Sequence, residues 1–294
     1  MKILLTGRNG QVGWELVRAL GPLGEVAAYG HAELDLAVPD RIVAAVRSTM
    51  PDVVVNAAAY TAVDQAEHEP EAALAVNAIG VGVLAEEAKR VGAALIHYST
   101  DYIFDGTKDV PYVEEDAPNP LNEYGRSKLA GERAVREIDG PHLILRTSWV
   151  YAARGRNFFV TMRRLLRERD EVRVVSDQIG APTSAGALAD ATAKILGLRG
   201  TEAARESRGV YHVTASGSTS WHGFAEAIAR LERCAARIVP IPSDDYPTPA
   251  RRPRNSRLSN DKLLRRFGVA LPPWASSLEV CSADLRSAEP HARG

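Results

Sequence analysis

Tyr124 and Lys128 stand four residues apart in "LNEYGRSKLAGE", residues 121–132. On an α-helix that spacing brings two side chains onto one face, so a phenol and an ammonium would meet. A free phenol titrates near 10, too high to exchange protons readily at neutral pH. A positive charge ~4 Å away is worth about 4 kcal/mol at an effective dielectric of 20, which favours the phenolate by roughly three pKa units. The chemistry this pair suggests is general acid catalysis, with Tyr124 giving its proton to a carbonyl oxygen. Thr100, in "HYSTDYIFDGT", supplies a hydroxyl to polarise the same oxygen. Such pairs also occur on solvated helix surfaces, and a buried threonine commonly bonds backbone, so the surrounding elements must decide.

Those elements have a clear rhythm. "KILLTG", "EVAAYG", "PDVVVNAAA", "ALIHYST" and "HLILRTSWV" are short apolar runs, separated by segments with helical spacing such as "QVGWELVRALGPLG". Strands apolar throughout, alternating with amphipathic helices, predict a doubly wound parallel sheet of Rossmann-like α/β class, covered on both faces. The helix holding Tyr124 follows the fourth strand; Asn119 is its predicted cap, with Pro120 in its first turn. "PEAALAVNAIGVGVLAEEAKRVG" is predicted as one long helix. After residue 151 the rhythm breaks. Residues 1–151 are assigned to a dinucleotide-binding domain, and 152–294 mainly to a smaller mixed substrate-binding region that includes the strand-like "RGVYHVTA". A helix over about 184–198 is expected to return to the first domain. The polar tail "SAEPHARG" is expected to fray.

The loop "TGRNGQVG" places Gly7, Asn9, Gly10 and Gly13 between the first strand and the first helix. Glycines let backbone N–H groups approach a pyrophosphate, and the helix N-terminus adds favourable partial charge. With a strand before and a helix after, this is a dinucleotide site. The GxxGxxG spacing resembles the extended branch of the short-chain dehydrogenase/reductase superfamily. An NAD-preferring site places a carboxylate at the end of the second strand; here Gly30 and His31 stand there, with Glu33 and Asp35 slightly later. Such a site would not repel a 2'-phosphate, and Arg8 would attract one, so NADPH is expected, with NADH as an alternative. Asp35 and Leu36 resemble the pair with which extended members hold the adenine, although Asp35 also suits a helix start before Pro39. The alanines of "NAAAYT", at a strand's carboxyl end, fit the floor under a flat cofactor.

Composition sets limits. The chain has 294 residues, 45% hydrophobic and 25% charged, with net charge -1, so no electrostatic footprint for nucleic acid or an anionic membrane is present. The two cysteines, Cys234 and Cys281, lack CxxC spacing, which argues against a disulfide framework or a zinc site. No run approaches the ~20 apolar residues of a membrane span. A soluble cytoplasmic protein is expected.

Several longer stretches, among them "VNAAAYTAVDQAE", "PLNEYGRSKLAGE", "LRTSWVY", "DQIGAPT" and "YPTPARRPRNSRL", together resemble the dTDP-4-dehydrorhamnose reductase family. The resemblance implies NAD(P)H-dependent reduction of the C4 ketone of dTDP-4-dehydro-6-deoxy-L-mannose to dTDP-L-rhamnose, with Thr100, Tyr124 and Lys128 as the catalytic trio. It also implies that Gln11, Val12, Ala59, Tyr60, Thr61, Tyr124 and Lys128 contact the cofactor, and that Thr100, Asp101, Tyr102 and Trp149 contact the sugar nucleotide. Arg252 is a candidate for the substrate diphosphate, since a guanidinium matches phosphate geometry; a solvated basic loop is the competing explanation. Some members form a dimer bridged by a metal on glutamates, but one of those positions is Gly186 here, so no metal site is expected. A monomer or a homodimer remains open. Alternatives are another dTDP-hexulose ketoreductase, a sugar-nucleotide epimerase, or a non-catalytic regulatory homologue, the last disfavoured by the presence of Thr100, Tyr124 and Lys128.

Overall fold

The computed structural model describes residues 1–288. The first half supplies strands β1 (Lys2–Thr6), β2 (Glu25–Tyr29), β3 (Val53–Asn56), β4 (Ala94–Thr100) and β5 (His142–Thr147). They are connected through helices α1 (Gln11–Leu20), α2 (Pro39–Thr49), α3 (Val63–Ala66), α4 (Pro70–Leu74), α5 (Gly80–Arg90) and α6 (Glu123–Ile138). The second half adds β6 (Val150–Tyr151), α7 (Phe158–Glu168), β7 (Glu171–Val175), β8 (Ile179–Gly180), β9 (Thr183–Ser184) and α8 (Ala185–Arg199). It continues with α9 (Glu202–Glu206), β10 (Gly209–His212), β11 (Thr219–Ser220), α10 (Trp221–Glu232), β12 (Arg237–Ile241), α11 (Asp261–Phe267) and α12 (Trp274–Ala288). Of the tail expected to fray, residues 289–294 lie outside the described residues.

The main sheet has six parallel strands in the order β10-β5-β4-β3-β1-β2. Its order reverses between β1 and β3, which opens a crevice at their carboxyl ends. Every residue of β3, β4 and β5 is buried, as their continuous apolar character requires when helices cover both faces. Alternation then sorts neighbours to opposite faces. Leu5, Val55, Ile96 and Leu145 pack with Leu16 of α1 and Leu188 and Ile195 of α8. Leu4, Val54, Leu95 and Ile144 pack with Ile42 of α2 and Leu84 of α5. A third cluster, around Tyr151, Phe159, Phe224, Ile228 and Leu278, joins α7, α10 and α12.

Three local details depart from the sequence expectations. The sequence rhythm places "RGVYHVTA" in the smaller region, whereas β10 completes the main sheet beside β5; periodicity marks a strand but not its neighbour. The long helix is interrupted by a π-helical turn over Ala75–Ile79 between α4 and α5. Inside that turn, Asn77 accepts from the Tyr60 amide at 2.9 Å and donates to the Tyr60 carbonyl and Ser127 hydroxyl, both at 3.0 Å. It thereby ties the loop after β3 to α6, in keeping with the tendency of such bulges to sit near functional sites. Finally, α6 is capped by Asn122 rather than Asn119. Asn122 has extended backbone and its side chain accepts from the Gly125 amide at 2.8 Å, while Asn119 donates to Asp105 and Pro120 precedes the helix.

Helix α6 is held from both ends of its buried face. Gly125 lies so close to the turn after β4 that a Cβ there would sit 2.2 Å from the Tyr102 carbonyl oxygen. Two turns on, Glu132 accepts from Arg146 of β5 at 2.7 and 2.9 Å and from Ser99 at 2.5 Å. The two charged side chains are 1% and 3% exposed. Removing one partner leaves the other charge buried, so Glu132→Ala is expected to cost about 3–5 kcal/mol in urea unfolding; a loss under ~1 kcal/mol would show that the pair does not hold α6.

Candidate active site

A cleft of about 560 Å³ opens at the carboxyl ends of the strands, where the sheet order reverses. On one side lies the glycine loop. Gly7 has φ of 75°, a left-handed conformation that suits glycine, and a Cβ on Gly13 would meet the Gly7 carbonyl oxygen at 2.0 Å. The loop and α1 can lie this close only because both positions lack side chains. The N-terminus of α1 carries no side-chain cap, and Gly10, Gln11 and Val12 line the cleft. Uncapped amides facing a cavity at a helix start fit a dinucleotide pyrophosphate.

On the other side, α6 and the end of β4 bring Thr100, Tyr124 and Lys128 into the same cleft. The Tyr124 and Tyr102 rings meet edge to face at 5.7 Å. Thr100 donates to Asp101 Oδ1 at 3.1 Å and accepts from the Tyr102 amide at 3.2 Å. The Lys128 Nζ donates to the Tyr98 carbonyl at 2.6 Å. Burial governs the electrostatics here. It pushes the Tyr124 phenol up to about 12, against a hydrogen bond with Thr100. It pulls the Lys128 ammonium down to about 8, against the charge of Glu132. The lowering of the phenol expected from the Tyr–Lys spacing is therefore reversed, because both groups lose solvation together and each favours its neutral form. The Asp101 carboxyl is raised by burial to about 7, opposed by hydrogen bonds from Ser256 and Thr100. Its Oδ2 is buried without a hydrogen-bond partner among the described residues.

Of the residues singled out from sequence, Gly7, Asn9, Gly10, Gln11, Val12, Asp35, Leu36, Ala59 and Thr61 line the cleft on the glycine-loop side, and Asp101, Tyr102 and Trp149 line it beside the trio. Three stand elsewhere. Gly13 lies behind the loop, and the Tyr60 hydroxyl donates to Glu69 at 2.8 Å. Arg252 lines a neighbouring cavity of about 590 Å³, with its guanidinium on Asp64 at 2.8 Å and on Tyr102. A carboxylate does stand at the end of β2. Glu33 folds back to accept from the Gly30 amide and from Arg8, both at 2.7 Å.

Sequence reasoning missed the wall contributed by the second half. Phe158 and Trp221 each open a helix directly after its cap, Asn157 for α7 and Ser220 for α10. A cap followed by an aromatic residue was the available signal. Trp149, at a left-handed φ of 49°, stacks on Trp221 at 3.6 Å. Asn157 also donates to Gln11 Oε1 at 2.8 Å, joining this wall to α1.

The family model described as RmlD substrate binding domain matches residues 1–287. The chain belongs to this family. It is 54% identical to the dTDP-4-dehydrorhamnose reductase of Burkholderia thailandensis, over 98% of this chain and 100% of the relative. Among solved structures, the dTDP-4-dehydrorhamnose reductase of Clostridium acetobutylicum superposes with a TM-score of 0.92 at 38% identity, covering 97% of this chain and 100% of that one. The Bacillus anthracis enzyme, solved in complex with NADP, has a TM-score of 0.88 at 36% identity, again over 97% and 100%. Both share the Rossmann-like arrangement described above.

The contact between Gly13 and Gly7 yields a direct test. Gly13→Ala must push the loop away from α1, and NADPH affinity, followed by fluorescence titration, is expected to fall at least about tenfold, or ~1.4 kcal/mol. Unchanged affinity would remove the loop from the cofactor site.

Proposed function

We propose that this chain reduces the C4 ketone of dTDP-4-dehydro-6-deoxy-L-mannose to dTDP-L-rhamnose, with NADPH as hydride donor and NADH as an alternative. The observation that carries this reading is the meeting of Thr100, Tyr124 and Lys128 in one cleft with an uncapped glycine-loop helix. Bound there, the dihydronicotinamide supplies a hydride to the ketone carbon. Gly7, Gly10, Gln11 and Val12 hold the pyrophosphate, and Asp35 and Leu36 border the adenine. Arg8 and Glu33 form an exposed pair at the ribose end: the arginine suits a 2'-phosphate and the carboxylate a 2'-hydroxyl, which accommodates either dinucleotide.

The chain's remaining work is proton delivery and orientation. Tyr124, held above its usual pKa, keeps its proton at neutral pH. It surrenders that proton once the carbonyl oxygen acquires the basicity of an alkoxide. Thr100 turns its one hydroxyl proton from Asp101 to the same oxygen and keeps it in line. Lys128 orients the nicotinamide ribose. The unpartnered Asp101 oxygen accepts from a sugar hydroxyl, and the stacked Trp149–Trp221 pair offers an apolar face to the 6-deoxy carbon. Arg252 takes the diphosphate by exchanging its Asp64 partner. The protein works in the cytoplasm as a monomer or homodimer, without metal or nucleic acid.

Incubation with NADPH and the candidate dTDP-keto sugars is expected to yield dTDP-L-rhamnose, and its absence from every reaction would overturn the assignment. Tyr124→Phe is expected to lower kcat by about 10²–10⁴-fold while NADPH binding stays within about twofold. Full turnover by that variant would remove Tyr124 from the acid role.

A further inference from the structure

Behind Lys128 runs a buried polar chain that the proposed mechanism does not use. His97 on β4, Asn56 at the end of β3 and Thr6 at the end of β1 lie side by side in register and are buried completely. The orientation of Asn56 is set from one end. The Ala58 backbone N–H donates to its Oδ1 at 3.2 Å, and the Thr6 hydroxyl donates to the same atom at 2.6 Å. The Ala58 N–H also reaches Thr6 Oγ1 at 3.3 Å, but a backbone N–H only donates, so turning the amide would set its NH₂ against that N–H at 3.2 Å. Its Nδ2 therefore faces His97 Nδ1 at 3.0 Å, and an NH₂ donor there requires a bare ring nitrogen. The single proton of the neutral imidazole is left on Nε2. That nitrogen faces Lys128 Nζ at 3.5 Å.

We propose that His97, locked by Asn56 with its proton on Nε2, is a positioning residue that decides how readily Lys128 carries charge. An N–H aimed at an ammonium is repelled; aimed at a neutral amine, it donates to the lone pair. The ring thus favours the amine, in the same direction as burial, which holds Lys128 at about 8. A second proton on the ring would break the Asn56 bond, and burial together with the Lys128 charge keeps His97 well below its usual pKa.

Of the charges around this pair, only Glu132 acts on Lys128, favouring the ammonium against burial. Glu132, one turn along α6, is taken up by Arg146 of β5 at 2.7 Å. On α5, Glu87 is held by Arg47 and Arg90. On α9, Arg205 pairs with Glu202, and Glu206 pairs with Arg199. The Tyr98 hydroxyl bonds Thr192 of α8, and β3 carries no charged residue. Tyr124, on the face shared with Lys128, stays neutral to about 12. Asp101 is raised by burial to about 7, and the groups that shift it are Ser256, Thr100 and its own backbone rather than His97 or Asn56, so its ionisation serves as an internal reference.

This inference rests on the assignment of Lys128 to the cofactor ribose, so the charged form binds and affinity weakens as pH rises through the lysine's pKa. The test follows NADPH affinity by fluorescence from pH 6 to 10 in the full chain, a readout that needs no turnover. His97→Gln lets an amide oxygen turn to the ammonium. Asn56→Asp draws the imidazole proton to Nδ1 and presents a bare Nε2 to Lys128. Each is expected to move the alkaline limb upward by about one pH unit, a tenfold change in the lysine's acid constant, while the Asp101 ionisation stays in place. An unmoved limb in both folded variants would overturn the proposal. Nitrogen-15 spectra of the unmodified protein decide independently of the variants: a proton on Nε2 is expected, and a proton on Nδ1 would overturn the assignment. Were the protein to make no dTDP-L-rhamnose while these spectra showed the proton on Nε2, only the substrate reading would fall.

Discussion

The first turn of α6 presses on the backbone that follows β4 at a point where no side chain intervenes. Gly125 sits against the Tyr102 carbonyl, and the Asn122 cap fixes where the helix begins. This contact sets the distance from Tyr124 and Lys128 to Thr100, which ends the neighbouring strand. A larger residue at 125 would lift the helix start, and the phenol with it. Farther along, the Glu132–Arg146 pair keeps the same helix seated on β5. The trio is thus a property of one helix–strand contact, secured at two points.

Burial at this contact has an electrostatic consequence. Setting a half-buried phenol beside a buried ammonium and a buried carboxyl favours the neutral form of each. Tyr124 and Asp101 rise and Lys128 falls. A phenol that holds its proton suits a reductive step, in which the acid must arrive protonated. The Tyr98 carbonyl eases the burial of the Lys128 ammonium, whereas the His97 ring behind it favours the amine, so the strand backbone and the polar chain across the sheet are part of the site.

The cleft is also a joint between regions distant in sequence. Asn157 reaches Gln11, Trp149 lies on Trp221, and Asn77 in its π-helical turn clasps the Tyr60 backbone. Each link is a single side chain spanning two elements. The glycine-loop side and the aromatic wall are therefore held in register by hydrogen bonds and stacking as well as by the common core.

Local periodicity alone determined the parallel sheet, the glycine turn into α1 and the shared face of Tyr124 and Lys128. These depend on residue spacing along one strand or one helix, which the sequence states directly. The choice of Asn122 over Asn119, the edge position of β10 and the folding back of Glu33 onto Gly30 were decided by neighbours far away in the chain. So was the aromatic wall at Phe158 and Trp221, whose helices reach the cleft only after the second half has packed. The direction of the Tyr124 shift belongs to the same group: spacing shows that an ammonium is near, but desolvation depends on everything that covers the pair. Only the tertiary structure carries that cover, and it raises the phenol.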